Sequence, residues 1–123
     1  MKQFITIDGD DIGRKISACY IENNLSKLKY ISNSLQEYVE KISKTLVENG
    51  FTLIFAAADG ISAVTEEENS LDFIEQKIKK SISSEFTFSI GTGNSLRECY
   101  IALIQAKSTG KNKLINYKDI PQK

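Results

Sequence analysis

The stretch Phe51-Thr52-Leu53-Ile54-Phe55-Ala56-Ala57-Ala58-Asp59-Gly60-Ile61-Ser62-Ala63-Val64-Thr65 decides the fold. It holds two apolar runs, Phe51–Ala57 and Gly60–Thr65, joined by a tight turn through Asp59-Gly60. Asp-Gly supports positive φ, so an antiparallel hairpin is the favoured geometry. Upstream, residues 2–8 alternate into a short β-branched strand ending at Asp8. A helix is expected from about Ile12 to Asn24, started beside a glycine turn. In the next helix Leu25, Leu28, Ile31, Leu35, Val39, Ile42 and Leu46 form one apolar stripe, stopped by Asn49-Gly50. Downstream, Glu66-Glu67-Glu68-Asn69 reads as a solvated link, and Leu71, Ile74, Ile78 and Ile82 mark a third helix. Phe86–Thr92 reads as a strand, and Ser95-Leu96-Arg97-Glu98 is a capping box opening a helix that Gly110 stops. Lys113–Tyr117 makes a last short strand, and the tail with Pro121 is expected to fray.

The order β-α-α-β-β-α-β-α-β, with a central antiparallel hairpin, predicts an α+β ferredoxin-like palm with its helices on one face. Residues 1–123 are expected to form a single such domain. The first strand then lies centrally, beside the hairpin. That brings the strand ends carrying Asp8 and Asp59 to one edge of the sheet.

Composition narrows the function. Among 123 residues, sixteen basic side chains balance sixteen acidic ones, so no global field draws the chain to duplex nucleic acid or an anionic membrane. A small charged ligand, held locally, fits this balance better. There is no histidine, which removes the commonest general base and the usual zinc ligand. Cys19 and Cys99 lack CxxC spacing and read as buried reduced thiols. No apolar stretch suits a signal peptide or a membrane span, and a cytoplasmic location is expected.

Two acidic turns, each closing an apolar run, carry the chemistry. The first is Asp8-Gly9-Asp10-Asp11-Ile12-Gly13 and the second is Ala57-Ala58-Asp59-Gly60. Carboxylates delivered from adjacent strands can share hard cations that prefer oxygen ligands and accompany substrate phosphates. Asp8 and Asp59 are the expected catalytic metal ligands, with the Gly9 carbonyl as a third donor and Mg²⁺ or Mn²⁺ as the cofactor, two ions per site. Of Asp10 and Asp11, one is expected to join the metal ligands (Asp10 is the candidate) while the other caps the following helix. Asp11, Ile12 and Gly13 stand at a helix start whose amides and dipole can face phosphate, although glycines there also serve a sharp turn. Lys107 and Lys111, on either side of the Gly110 stop, could neutralise terminal phosphates; lysines also favour helix C-termini for dipole reasons alone. Arg14 and Lys15 add positive charge nearby.

Taken in order, these residues resemble the palm superfamily of GGDEF domains and CRISPR polymerases. Asp8-Gly9-Asp10-Asp11-Ile12-Gly13 is similar to the first palm motif of the large polymerase subunit in type III CRISPR complexes. Ala57-Ala58-Asp59-Gly60 stands where GGDEF or GGDD stands. Ser89-Ile90-Gly91 and Ala106-Lys107-Ser108-Thr109-Gly110-Lys111-Asn112 match the SxG and AK-x-x-G-[RK]-N signatures of diguanylate cyclases. A stand-alone palm this short resembles the minimal CRISPR polymerases (mCpol). The resemblance implies a nucleotidyltransferase that makes a cyclic oligonucleotide, a cyclic dinucleotide from ATP, in antiphage signalling. It also implies a homodimer or higher assembly, because two bound nucleotides must face each other to be joined twice. The hairpin departs from the family pattern in having Ala57 and Ala58 for the paired glycines, where the resemblance implies contact with the nucleotide, and Gly60 for the second acid. A catalytically inactive palm that senses a nucleotide is the alternative those departures favour.

Overall fold

Pleated alternation builds the centre of the molecule. In a computed structural model, which describes residues 2–83 and 85–122, strand β1 (Gln3–Gly9) sends Ile5 and Ile7 inward, both essentially inaccessible to water. The chain continues through α1 (Ile12–Ile21), α2 (Leu25–Glu48), β2 (Thr52–Ala57), β3 (Gly60–Thr65), α3 (Leu71–Lys80), β4 (Phe88–Gly93), α4 (Leu96–Ser108) and β5 (Leu114–Asn116). A short 3-10 turn follows at Tyr117–Asp119. The sheet order is β2-β3-β1-β4-β5. β1 runs antiparallel to both neighbours, with Asp8 opposite Gly60 on β3 and Ser89 on β4. β5 alone pairs in parallel, beside β4.

The expected α+β palm and the central place of β1 are both present. The helices, however, do not share one face. Ile31, Leu35, Val39, Ile42 and Leu46 of α2 pack with Ile74 and Ile78 of α3 onto Ile5, Ile7, Ile61 and Ile90 in one core. Each such buried aliphatic contributes about 1.5–3 kcal/mol. Helix α4 lies on the opposite face. Every residue of β4 is buried, because Phe88 and Ile90 face the core while Ser89, Gly91 and Gly93 face α4. A Cβ at Gly91 would stand 2.1 Å from the Cys99 carbonyl oxygen and 2.3 Å from the Leu103 nitrogen. These glycines therefore let a helix backbone rest directly on a strand backbone.

The hairpin turn also differs in detail. Ala57 pairs with Gly60, so the two loop residues are Ala58 and Asp59, and Ala58 takes the left-handed conformation at φ 53°. The expected Asp59-Gly60 pivot is thus one residue earlier. α1 ends at Ile21, where Glu22 and Asn23 turn the chain into α2 and Asn24 caps it by accepting from the Lys27 N–H at 3.0 Å. Ser95 caps α4 as its sequence pattern predicts, accepting from the Glu98 N–H at 3.1 Å. Among the described residues no helix is long and apolar enough to cross a membrane.

Gly91→Ala should lower stability by at least about 3 kcal/mol in urea unfolding, since the obstructing atoms are backbone and α4 must move. Gly13→Ala, where the space is open and the residue is helical, should be neutral or stabilising by up to about 1 kcal/mol.

Candidate functional site

The two acidic turns meet at one end of the sheet. The Gly9 N–H donates to the Asp59 carbonyl at 3.0 Å, and the Asp10 N–H donates to the Thr87 carbonyl at 2.9 Å. The first turn is thereby stitched to both neighbouring strands. Gly9 has to be small: a Cβ there would meet the Ile12 side chain at 2.7 Å and the Asp59 Cβ at 3.2 Å.

Asp10 does not serve as an available metal ligand, contrary to the sequence expectation. Its side chain is 3% exposed, and both oxygens are taken. Oδ1 accepts from the Ser89 hydroxyl at 2.6 Å and from Lys107 Nζ at 2.9 Å. Oδ2 accepts from the Thr87 hydroxyl at 2.6 Å and the Asn112 N–H at 3.0 Å. Burial pushes this carboxyl up, but the donors from Ser89, Thr87 and Lys107 outweigh it and hold Asp10 below the usual carboxylate range. Thr87 is a site residue that sequence reasoning missed, and Ser89 and Asn112 stood there only as members of the SxG and AK-x-x-G-[RK]-N signatures, with no role given. Two hydroxyls at alternate positions, Thr87 just before β4 and Ser89 on it, beside an aspartate turn were the available signal.

Asp11 occupies the N-cap position of α1, yet its side chain caps nothing. At φ 59° it turns outward, where Lys111 Nζ lies 2.6 Å and Arg14 Nη2 3.2 Å from Oδ1. The Lys111 hydrogen bond, aided by Arg14, lowers the Asp11 carboxyl. The expectation that Asp10 or Asp11 caps the helix is therefore not met. Lys111 reaches this position because Gly110, Lys111 and Asn112 all have positive φ, which folds the chain back after α4.

Lys107 comes from the last turn of α4 and lies over the acidic turn. Its ammonium donates to the Gly9 carbonyl at 2.8 Å and to Asp10 Oδ1, with Asp8 Oδ2 at 3.2 Å and the Asp8 carbonyl at 3.4 Å. Partial burial disfavours its charge, but Asp10 and Asp8 more than offset that and raise it.

Asp59 is electrostatically the opposite of Asp10. Among the described residues no cation comes within 4 Å of its carboxylate. Burial, and then the neighbouring Asp8 charge, push it up. Asp8 and Asp59 thus form a pair of carboxylates beside the Gly9 carbonyl, with Lys107 the one ammonium among three acids. Such an oxygen-rich donor set with excess negative charge suits a hard divalent cation. Among the described residues no three acidic, cysteine or histidine side chains gather at one point, so a seat here needs the backbone carbonyl and oxygens from a ligand to be complete.

Beside Asp59 a groove of about 920 Å³ runs between α1, α2 and the hairpin. Ile12, Ile16, Leu35 and Val39 form its apolar wall, Ala57 and Ala58 its end, and Gln36 and Glu40 its polar edge. Gly13 stands at the start of α1 with open space above it.

A family model described as the minimal CRISPR polymerase domain (mCpol) matches residues 4–117. No curated protein matches the chain. Among solved structures, the GGDEF domain of DgcB from Caulobacter crescentus, in complex with c-di-GMP, superposes with a TM-score of 0.68 at 9% identity, over 96% of this chain and 78% of that one. The active GGEEF domain of a diguanylate cyclase from Vibrio cholerae gives 0.67 at 14% identity, over 99% and 84%. The Csm1-Csm4 cassette in complex with cA4 gives 0.67 at 16% identity, over 92% of this chain and 20% of that one. At such identities the likeness is one of fold.

Two substitutions separate the aspartates. Asp10→Ala removes one partner of a buried pair and takes the acceptor from the Ser89 and Thr87 hydroxyls, so urea unfolding should show a loss of about 3 kcal/mol. Because Asp10 is held low in the fold, its contribution is present above the ordinary aspartate range and is lost as pH falls through its folded value. Asp59 is held high, so its ionisation opposes folding. Asp59→Asn should therefore raise the melting temperature at pH 7 in EDTA, and the gain should vanish below the ordinary aspartate range.

Proposed function

The chain belongs to the minimal CRISPR polymerase domain family, and from that premise we propose that it is a nucleotidyltransferase making a cyclic oligonucleotide. The product is a cyclic dinucleotide built from ATP, made for antiphage defence signalling in the cytoplasm. The observation that carries this reading is the meeting of Asp8, Asp59 and the Gly9 carbonyl at one sheet end, with no cation within 4 Å of Asp59 among the described residues and its carboxyl pushed up. The open groove beside Asp59 supports it as a seat for a base.

In this reading Asp8, Asp59 and Gly9 hold Mg²⁺ or Mn²⁺, two ions when phosphate oxygens complete their coordination. Bound there, the cation supplies charge neutralisation at the α-phosphate and a lowered pKa for the attacking hydroxyl. The purine lies in the apolar groove against Ala57 and Ala58, and Ile12 and Gly13 leave room for the phosphate chain at the start of α1. Lys111, with Arg14 close by, binds terminal phosphate oxygens in exchange for Asp11, and Lys107 joins them. A second protomer of a homodimer presents the other nucleotide. Its ribose hydroxyl oxygen bonds to the α-phosphorus while the bond to the β-phosphate oxygen breaks. Pyrophosphate leaves and the hydroxyl proton passes to water, since no histidine is present to take it. Repeating the step in the other direction closes the ring.

Incubation of the purified protein with each NTP and Mg²⁺ or Mn²⁺, followed by mass spectrometry, should show pyrophosphate and a cyclic product. Asp59→Asn should cut turnover by at least about a hundredfold, through lost charge on the metal seat. Full activity in that variant would refute the ligand assignment. An NTP that stabilises the protein without being consumed would make it a nucleotide-binding palm instead.

A further inference from the structure

Resting on the nucleotidyl-transfer reading of this site, we infer that the Lys107 ammonium is a resident cation held in the metal seat of the nucleotide-free protein, and that a divalent ion binds only by displacing it. The ammonium touches two of the three groups that reading assigns to the metal, the Gly9 carbonyl at 2.8 Å and Asp8 Oδ2 at 3.2 Å. It also meets Asp10 Oδ1 at 2.9 Å and the Asp8 carbonyl at 3.4 Å. An ammonium has three donors, and here four oxygens face it. The oxygens exceed what lysine can satisfy, whereas a hard divalent cation takes six or more.

The charges agree. Asp8, Asp10 and Asp59 share this single ammonium, because Lys111 and Arg14 are committed to Asp11. Lysine holds the turn together but leaves it short of positive charge. A divalent ion on the Gly9 carbonyl and Asp8 would use the same lone pairs and would repel the ammonium, so the two occupants exclude each other. Lys107 sits in the last turn of α4 on a flexible four-carbon stem. It can leave Gly9 and Asp8 without moving the helix. A metal arriving alone must evict the lysine into water. A metal arriving with a triphosphate gives the evicted lysine an anionic partner at once. The lysine thereby couples metal binding to nucleotide binding, and the metal-free seat is kept folded rather than left as a cluster of repelling acids.

Mn²⁺ binding to nucleotide-free protein, followed by loss of the free Mn²⁺ electron paramagnetic resonance signal, tests the exchange. Lys107→Gln removes the charge and keeps a donor for Asp10, and Lys107→Met removes both. Each should bind Mn²⁺ at least tenfold more tightly than the unaltered protein, and adding Asp8→Asn should abolish the gain. Equal or weaker Mn²⁺ affinity in a variant whose circular dichroism is unchanged would overturn the inference. A second readout uses the unaltered chain. Brief acetylation followed by mass spectrometry should find Lys107 protected without metal and more reactive as Mg²⁺ is raised, while Lys41 stays constant. Unchanged Lys107 labelling up to the highest Mg²⁺ would equally overturn it. Neither readout needs turnover. A tenfold gain without any cyclic product rejects the enzyme alone, and product without the gain rejects the lysine's role alone.

Discussion

Strand β1 is hydrogen-bonded along both edges, and the position of every site residue follows from that double pairing. Ile5 and Ile7 must face the α2–α3 core, and a slip of one register step would bring Thr6 and Asp8 into it instead. The burial of two isoleucines therefore fixes where an aspartate stands. With Asp8 opposite Gly60, the hairpin turn falls beside the end of β1, and the Gly9 to Asp59 hydrogen bond closes the two turns onto each other. The face that receives Asp8 is the face on which α4 lies. A helix resting on Gly91 and Gly93 is close enough for Lys107, in its last turn, to reach the acidic end of the sheet.

Three consecutive residues then meet three different fates. Gly9 is held by Asp59, Asp10 is turned inward to Ser89 and Thr87, and Asp11 swings outward to Lys111. Two identical carboxyls one residue apart thus differ wholly in environment. Asp10 is dry, fully bonded and held ionised, which is what a structural acid needs. Asp59, across the turn, is partly dry and short of partners, a condition that persists only where some other constraint keeps the charge in place.

Much of this was legible in the chain. The α2 stripe, the Ser95 cap, the hairpin and the approach of Asp8 to Asp59 follow from periodicity and turn chemistry, which are local and strong. Family signatures added Lys107 and Lys111 to the same end of the sheet. What local pattern could not give was direction. Adjacent aspartates after a strand look equivalent on paper, and only the Asp10 to Thr87 backbone bond decides which of them points inward. The second face of the sheet was hidden for a related reason. Phe86-Thr87-Phe88-Ser89-Ile90-Gly91-Thr92-Gly93 alternates apolar residues with small ones, and alternation by itself equally fits a strand with one wet face. The small residues instead mark close contact with a helix, and both faces are buried.

The backbone itself points to the same corner of the molecule. Five non-glycine residues among those described have positive φ, and four of them, Asp11, Ala58, Lys111 and Asn112, surround the acidic turn. Aspartate and asparagine enter the left-handed region readily, but alanine and lysine do so at a cost of about 1–2 kcal/mol each. Nothing in the core needs that conformation at Ala58 or Lys111. Ala58 at φ 53° brings the end of β2 round to set Asp59 beside Gly9, and Lys111 at φ 62° turns its side chain back over Asp11. Strain of this kind survives where the surrounding packing over-determines it, and it gathers at sites that must hold charged groups in fixed positions. The β1 pairings and the α4 contact supply that constraint here. The strained residues and the crowded acids occupy the same end of the sheet because the fold's rigidity is used there to hold carboxylates closer together than they would stand alone.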